Sequence, residues 1–363
     1  MRFCIVIGHY PKDTPGGAEF QAYLIARELA RRGHDTHYVA YRAGKSEITR
    51  NEGITVHRLN SDVVPPETPK TVSNEINDIN PEYIYFRNFP DLHIADQLND
   101  RFNGEIIFNV SHDRQCMRLK SNWREMISPS NVYKWMKDPW YLFKKRLLQF
   151  PDHRLVQTEY QQSMLQKNYN LSSSYVGNGH PIPEDTIEPR SPPIILWLAS
   201  LKPWKQPLKF ISIAEKCRDL DCRFWLVGRP SDPELADNVV NHVDQLSNIS
   251  YKGGCNIEES NRYIEQSSLF VNTSKREGFP NTFIQSWLRE TPVVSLNVDP
   301  DGVLNANEIG MCAEGNLDKL TEAIRSLVLD SKRCNKVGTR AREYGQSNHS
   351  ISVVVNRLLD AII

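Results

Sequence analysis

FCIVIGHYPKDTPGGAEFQAYLIARELARRGHDTHYVAY, residues 3–41, sets out a strand, a loop, a helix and a second strand in the order a parallel sheet requires. Phe3 to Ile7 is an unbroken apolar run, suited to a strand covered on both faces. Ala18, Ala22, Ile25, Ala26 and Leu29 then recur at offsets 0, 4, 7, 8 and 11, the spacing of one buried helix face. Arg31 and Arg32 suit the last turn, where carbonyl partial charges are negative, and Gly33 suits the left-handed cap that ends a helix.

The pattern continues outward from there. Short apolar runs recur at YIYF (83–86), EIIFNV (105–110), HRLVQT (153–158) and SYVGN (174–178). After HPIPEDTIEPRSPP (180–193), rich in proline and charge, it starts afresh with IILWLAS, RFWLVG, ISYKG, LFVNTS and PVVSL between amphipathic segments. Two doubly wound α/β units are predicted, residues 1–183 and 190–346. Ligand is expected in a cleft between them, outside the carboxyl ends of the strands.

Bulk composition narrows the partners. Lys plus Arg is 44 and Asp plus Glu is 44, so no global field draws the chain to nucleic acid or an anionic surface. Seven scattered cysteines without a CxxC pair read as buried thiols of a reducing compartment. With mean hydropathy −0.51 and a first apolar run too short for a signal segment, a cytoplasmic protein is expected.

EGFPNTFIQ, residues 277–285, is the most informative functional stretch. It follows the strand-like LFVNTS, and Asn281 begins a helix in which Phe283 and Trp287, and Ile284 and Leu288, stack at i and i+4. A helix start offers unpaired amides and partial positive charge to ligand oxygens. Gly278 lets the backbone approach closely, and Pro280 has no amide to leave unpaired. Ionised Glu277 accepts hydrogen bonds from hydroxyls, and Gln285 lies within reach of the same ligand.

This stretch resembles the signature of retaining GT-B glycosyltransferases of family 4 type (glycosyl transferases group 1), a Glu, seven residues and a second Glu around a Glu-Gly-Phe core. The fold class the resemblance implies is α/β, GT-B, with two Rossmann-like doubly wound parallel-sheet domains facing across a cleft. Glu277, Gly278, Phe279, Pro280 and Asn281 match the core and helix start, and Gln285 stands where the second acid is usual. The first acid and the following amides would hold the donor sugar, and position 285 the ribose hydroxyls. A carboxamide accepts from one hydroxyl and must donate to the other, so ribose binding is tuned down while the reacting centre is spared.

Other positions extend the resemblance over nearly the whole chain, and it implies that a last helix, 347–363, crosses back onto the first unit. Gly16 and Gly17, with Glu19 nearby, match the family's first-loop glycine pair and would bring amides up to diphosphate or acceptor. In ASLKPWKQP (199–207) Lys205 matches the family's lysine beside the leaving diphosphate, Ser200 stands where an arginine is usual, and Lys202 is a candidate substitute. His112 matches a histidine beside the donor sugar, and Gly228 and Gly253 match places where backbone nears the base. Turn glycines, a solvated lysine and a loop histidine are the plainer readings of these positions taken singly.

The resemblance implies a metal-independent hexosyltransferase acting from a nucleoside diphosphate sugar on a glycan or lipid-linked acceptor, with no cofactor. Alternatives are a sugar-nucleotide epimerase or hydrolase on the same fold, and a binding-only homologue, motivated by Ser200 and Gln285. AGKS (43–46) lacks the first glycine of a phosphate-binding loop, since Val39 occupies its place, and DPD (299–301) and DLD (219–221) are turn chemistry as much as metal motifs. Residues 114–154 carry ten Lys and Arg against three Asp and Glu, interleaved with aromatic residues. They read either as a peripheral contact for anionic lipid or as a solvated helical face, and nucleic acid is not expected.

Overall fold

The computed structural model describes residues 1–14, 16–60, 67–95, 98, 102–117, 139–184 and 191–363. These form two compact units, Met1–Asn178 with Val354–Ile363, and Gly179–Val353.

Unit 1 is built on strands β1 (Arg2–Ile7), β2 (Asp35–Ala43), β3 (Glu47–Asn51), β4 (Ile54–Asn60), β5 (Tyr83–Phe86), β6 (Glu105–Asn109), β7 (His153–Val156) and β8 (Ser174–Tyr175). Their order is β3-β4-β2-β1-β5-β6-β7-β8, parallel throughout except for the antiparallel β3–β4 pair. The chain builds outward from β1 through β2 and β4, then returns to β1's other side with β5, so the order reverses between β1 and β5. Cys4, Val6, Ile84, Phe86, Ile106 and Phe108 carry the apolar runs into one core. The β3–β4 hairpin was not evident from the sequence. Its strand EITRN has no apolar run, and its turn depends on Glu52 and Gly53 both taking positive φ, 50° and 82°.

Unit 2 holds β9 (Ile194–Leu198), β10 (Arg223–Val227), β11 (Ile249–Tyr251), β12 (Leu269–Asn272), β13 (Val293–Ser295) and β14 (Gly310–Cys312), all parallel, in the order β11-β10-β9-β12-β13-β14. Reversal falls between β9 and β12. One face packs on a core with Phe210, Phe224 and Ile324, and the other on Phe270, Phe283 and Trp287. The helix Ser331–His349 ends at Ser350, whose extended backbone bridges to His180, and the helix Ile351–Ile362 follows.

All seven cysteines are free thiols, Cys255 half-buried and the others buried. No described helix is long and apolar enough to cross a membrane. Of the basic, aromatic stretch 114–154, residues 118–138 lie outside the described residues. Lys144, expected on that surface, is instead buried at 6 % exposure and donates to the carbonyls of Arg114 and Met117 at 2.8 and 2.7 Å. Burial pushes its pKa down to about 8.

Candidate functional site

The reversal point of unit 2 is where the strongest sequence expectations meet. The loop after β9 carries Ser200, Lys202 and Lys205, and the loop after β12 carries Glu277 to Pro280. Lys205 Nζ lies 2.7 Å from Glu277 Oε2, and the two side chains are only 19 % and 17 % exposed. Glu277 Oε1 accepts from Asn272 Nδ2 at 2.9 Å and from the Ser274 hydroxyl at 2.7 Å. Asn272 Oδ1 in turn accepts from the Ser274 amide at 2.9 Å. The acid is therefore gripped from the end of β12 as well as by the lysine. Burial pushes the Glu277 carboxyl up, but the Lys205 charge and hydrogen bonds from Lys205, Ser274 and Asn272 outweigh it and hold the pKa below the usual carboxylate value.

Lys205 is positioned with equal care. It closes the short 3-10 turn Pro203–Lys205, after which Gln206 takes a left-handed conformation. The Thr273 hydroxyl donates to the carbonyls of Lys205 and Gln206, at 2.7 and 3.0 Å, and accepts from Trp197 Nε1 at 2.8 Å. The Lys275 amide donates to the Trp204 carbonyl at 2.8 Å. One buried threonine thus ties the lysine loop to the acid loop. In the sequence Asn272, Thr273 and Ser274 mark only the end of a strand, and their one signal is that three polar residues close an apolar run.

The remaining expectations divide. Phe279 is 6 % exposed, its ring tilted against His349 and edge-on to Trp287 with centroids at 4.6 and 6.0 Å, so its side chain belongs to the core. Pro280 is the extended residue before the helix Asn281–Trp287. Asn281 hydrogen-bonds the buried His180, whose pKa is driven down to about 3 by burial and by the nearby Arg289 and His349. Gln285 is buried, and its Nε2 donates to Asn261 Oδ1 at 2.9 Å. Ser200 is exposed, and the Lys202 ammonium lies 5.0 Å from the ring centre of Trp204, itself 44 % exposed.

Gly253 has φ +72° with open space where a Cβ would stand. At Gly228 a Cβ would fall 1.8 Å from the Ala199 carbonyl oxygen, so the glycine is required by packing at the end of its own sheet.

Unit 1 holds the other three. Gly16 is the extended cap of the helix Gly17–Arg31, and a Cβ there would meet Glu19 Oε2 at 2.1 Å. The Glu19 carboxylate thus lies against the glycine pair. His112 opens a short turn after β6, where Gln115 Oε1 accepts from the amides of Ser111 and His112 at 2.6 and 3.3 Å. Burial lowers the His112 pKa, opposed by Asp113 and reinforced by Arg114 and Lys144. Among the described residues no three His, Cys, Asp or Glu side chains gather as a metal site would require.

Two doubly wound parallel-dominated sheets of this topology define the class: the chain has the fold of the GT-B glycosyltransferases. The profile of the family described as Glycosyl transferases group 1 matches residues 192–330, the span of β9 to β14 and the helix Leu317–Leu329. Among solved structures the chain is similar to sucrose-phosphate synthase from Thermosynechococcus elongatus, with TM-score 0.79, 14 % identity and 99 % and 98 % of the two chains covered. It is similar to a glycosyltransferase from Rickettsia africae, with TM-score 0.75, 16 % identity and coverage of 99 % and 97 %. Anabaena HepE in complex with UDP and glucose gives TM-score 0.73, 13 % identity and coverage of 100 % and 99 %. No curated protein sequence matches the chain.

Proposed function

We propose that the chain is a retaining, metal-independent glycosyltransferase of family 4 type that moves a hexose-like sugar from a UDP- or GDP-sugar to a glycan or lipid-linked acceptor in polysaccharide or glycoconjugate synthesis. The observation that carries this reading is the Lys205–Glu277 pair, held 2.7 Å apart at the strand-order reversal of unit 2. An ammonium has three N–H donors, so Lys205 can keep Glu277 and still meet phosphate oxygens. Its charge then offsets that of the departing diphosphate. Glu277, kept ionised at neutral pH, accepts from sugar hydroxyls with the lone pairs its three partners leave. The amides around Gly278 and Phe279 complete the grip, and Gln285 Oε1 accepts from one ribose hydroxyl.

In the step proposed, the bond from anomeric carbon to diphosphate breaks, a bond to the acceptor oxygen forms, and the acceptor's proton passes to the diphosphate. His112 would support charge at the anomeric carbon from unit 1. Glu19, lying against Gly16, favours an acceptor hydroxyl over a phosphate at the glycine pair, because a second anion beside a carboxylate is repelled. A cytoplasmic protein that meets the inner membrane face peripherally fits a lipid-linked acceptor.

The test is a panel of sugar nucleotides, headed by UDP-glucose because the HepE structures hold UDP and glucose or UDP-glucose. Free nucleotide is measured with and without acceptor. Release stimulated by acceptor supports transfer. Isomerisation or release without acceptor indicates an epimerase or hydrolase, and binding without turnover a binding-only protein. Glu277→Ala is expected to abolish transfer with circular dichroism unchanged; full turnover in that variant rejects the assignment.

A further inference from the structure

The strand-order reversal of unit 1 carries a cation that none of these roles uses. Arg87 directly follows β5, beside β1, where Gly8 and His9 leave the sheet. Crevices at such reversals are where parallel sheets bind ligands. Its side chain is 2 % exposed. Nη1 donates to the Tyr85 hydroxyl at 3.0 Å and Nη2 to Asn178 Oδ1 at 2.6 Å, while Nε has no partner. Both acceptors are neutral, and among the described residues no carboxylate pairs with the guanidinium. A buried cation without a counter-charge is costly, so a fold that keeps one has an anion to meet.

The neighbouring strand ends carry a second, independent sign. Asn109, the last residue of β6, is 0 % exposed. Its carboxamide is close enough to act on the Tyr85 hydroxyl, but the geometry leaves both its oxygen and its nitrogen short of a full hydrogen bond. Buried amides are nearly always satisfied, and this one is only partly so. The groups around it are rigidly placed. Asn178 Nδ2 donates to Gln157 Oε1 at 3.2 Å, and Gln157 Nε2 to the Val110 carbonyl at 2.8 Å. Gln115, which caps the His112 turn, donates to the Arg87 carbonyl at 3.5 Å. Guanidinium and carboxamide are thus fixed at the carboxyl ends of adjacent strands, beside the His112 segment.

We propose that Arg87 and Asn109 form an oxyanion site for a phosphoryl group in unit 1. The planar guanidinium presents Nε–H and an Nη–H in parallel, the geometry that takes two oxygens of one phosphate, and the Asn109 amide donates to a third. Such a charge-assisted pair is strong enough to displace the neutral contact from Tyr85 or Asn178. Resting on the transferase reading, which gives the donor's diphosphate to Lys205 in unit 2, the occupant is a phosphate carried by the acceptor.

The experiment is calorimetric titration of the full chain with inorganic phosphate and with methyl phosphate, each with the nucleotide site saturated by UDP so that Lys205 is occupied. Wild type is expected to bind both, the ester at least as tightly. Arg87→Gln is expected to weaken that binding by about tenfold or more, since a charge-assisted bond to a buried group is lost. Asn109→Ala is expected to weaken it about threefold. UDP affinity should be unchanged in both variants. Absence of phosphate binding to UDP-saturated wild type, or equal binding by Arg87→Gln, overturns the site; exclusion of the ester overturns its assignment to the acceptor. Should Arg87→Gln fail to fold, Asn109→Ala decides, and undiminished binding by it refutes the proposal. Failure of UDP itself to bind wild type is a separate result, against the transferase reading.

Discussion

Lys205→Met removes the ammonium from the Glu277 pair and leaves everything else that holds the acid in place. In wild type the depressed Glu277 pKa contributes stability that is full above the carboxylate's unfolded value and lost as pH falls through the folded one. In the variant, burial is opposed only by Asn272 and Ser274, so the pKa moves up from its wild-type position and that contribution shrinks. Breaking a fully buried pair costs about 3–5 kcal/mol. Here the partners are 19 % and 17 % exposed and two hydrogen bonds remain, so a loss of about 2–3 kcal/mol at pH 8 is expected. Each unit of upward pKa shift returns about 1.4 kcal/mol once the acid is protonated, so the deficit should shrink as pH falls from about 8 to about 3. The assay is urea denaturation followed by tryptophan fluorescence, with Trp197, Trp204, Trp225 and Trp287 reporting on unit 2. A deficit under about 0.5 kcal/mol, or one that does not change between about pH 8 and about pH 3, would refute the reasoning. The double variant Lys205→Met with Glu277→Leu should regain most of the stability and none of the donor binding, separating the pair's structural role from its function.

Two further outcomes are expected. Gln285→Glu should tighten UDP binding by up to about fivefold, because a carboxylate accepts from both ribose hydroxyls and Asn261 can turn its amide to donate to the new oxygen; tenfold weaker binding in the same titration would assign the amide a specific task. His180, whose folded pKa lies near 3, leaves the unfolded chain as the better proton binder below the ordinary histidine value, so stability falls with pH. Between pH 7 and pH 5 that loss should be about 2 kcal/mol in denaturant titrations and should be absent in a folded His180→Asn variant; the same slope in both would reject it.

The parallel sheets were legible because strands buried on both faces announce themselves as apolar runs, and those at Phe3, Tyr83, Glu105, Ile194, Arg223 and Leu269 all sit where the pattern put them. Glu277 and Lys205 were legible as residues matching a motif, since their loops follow strands. Their 2.7 Å contact was not, because it joins positions far apart in sequence. Position-specific burial was the other gap. Phe279 and Lys144 look alike in a sequence whether they face ligand, lipid or core, and both proved buried. For the buried Arg87 the available signal was an arginine directly after YIYF, an odd ending for an apolar strand.

The way Glu277 is anchored has an evolutionary consequence. Asn272 and Ser274 belong to the end of β12, whereas Lys275 and Arg276, between that anchor and the acid, are exposed and hold no part of it. Mutational drift at those two positions can reshape what the loop presents to an incoming molecule while the acid stays in register, so new ligand preferences are open to the lineage without rebuilding the anchor of Glu277.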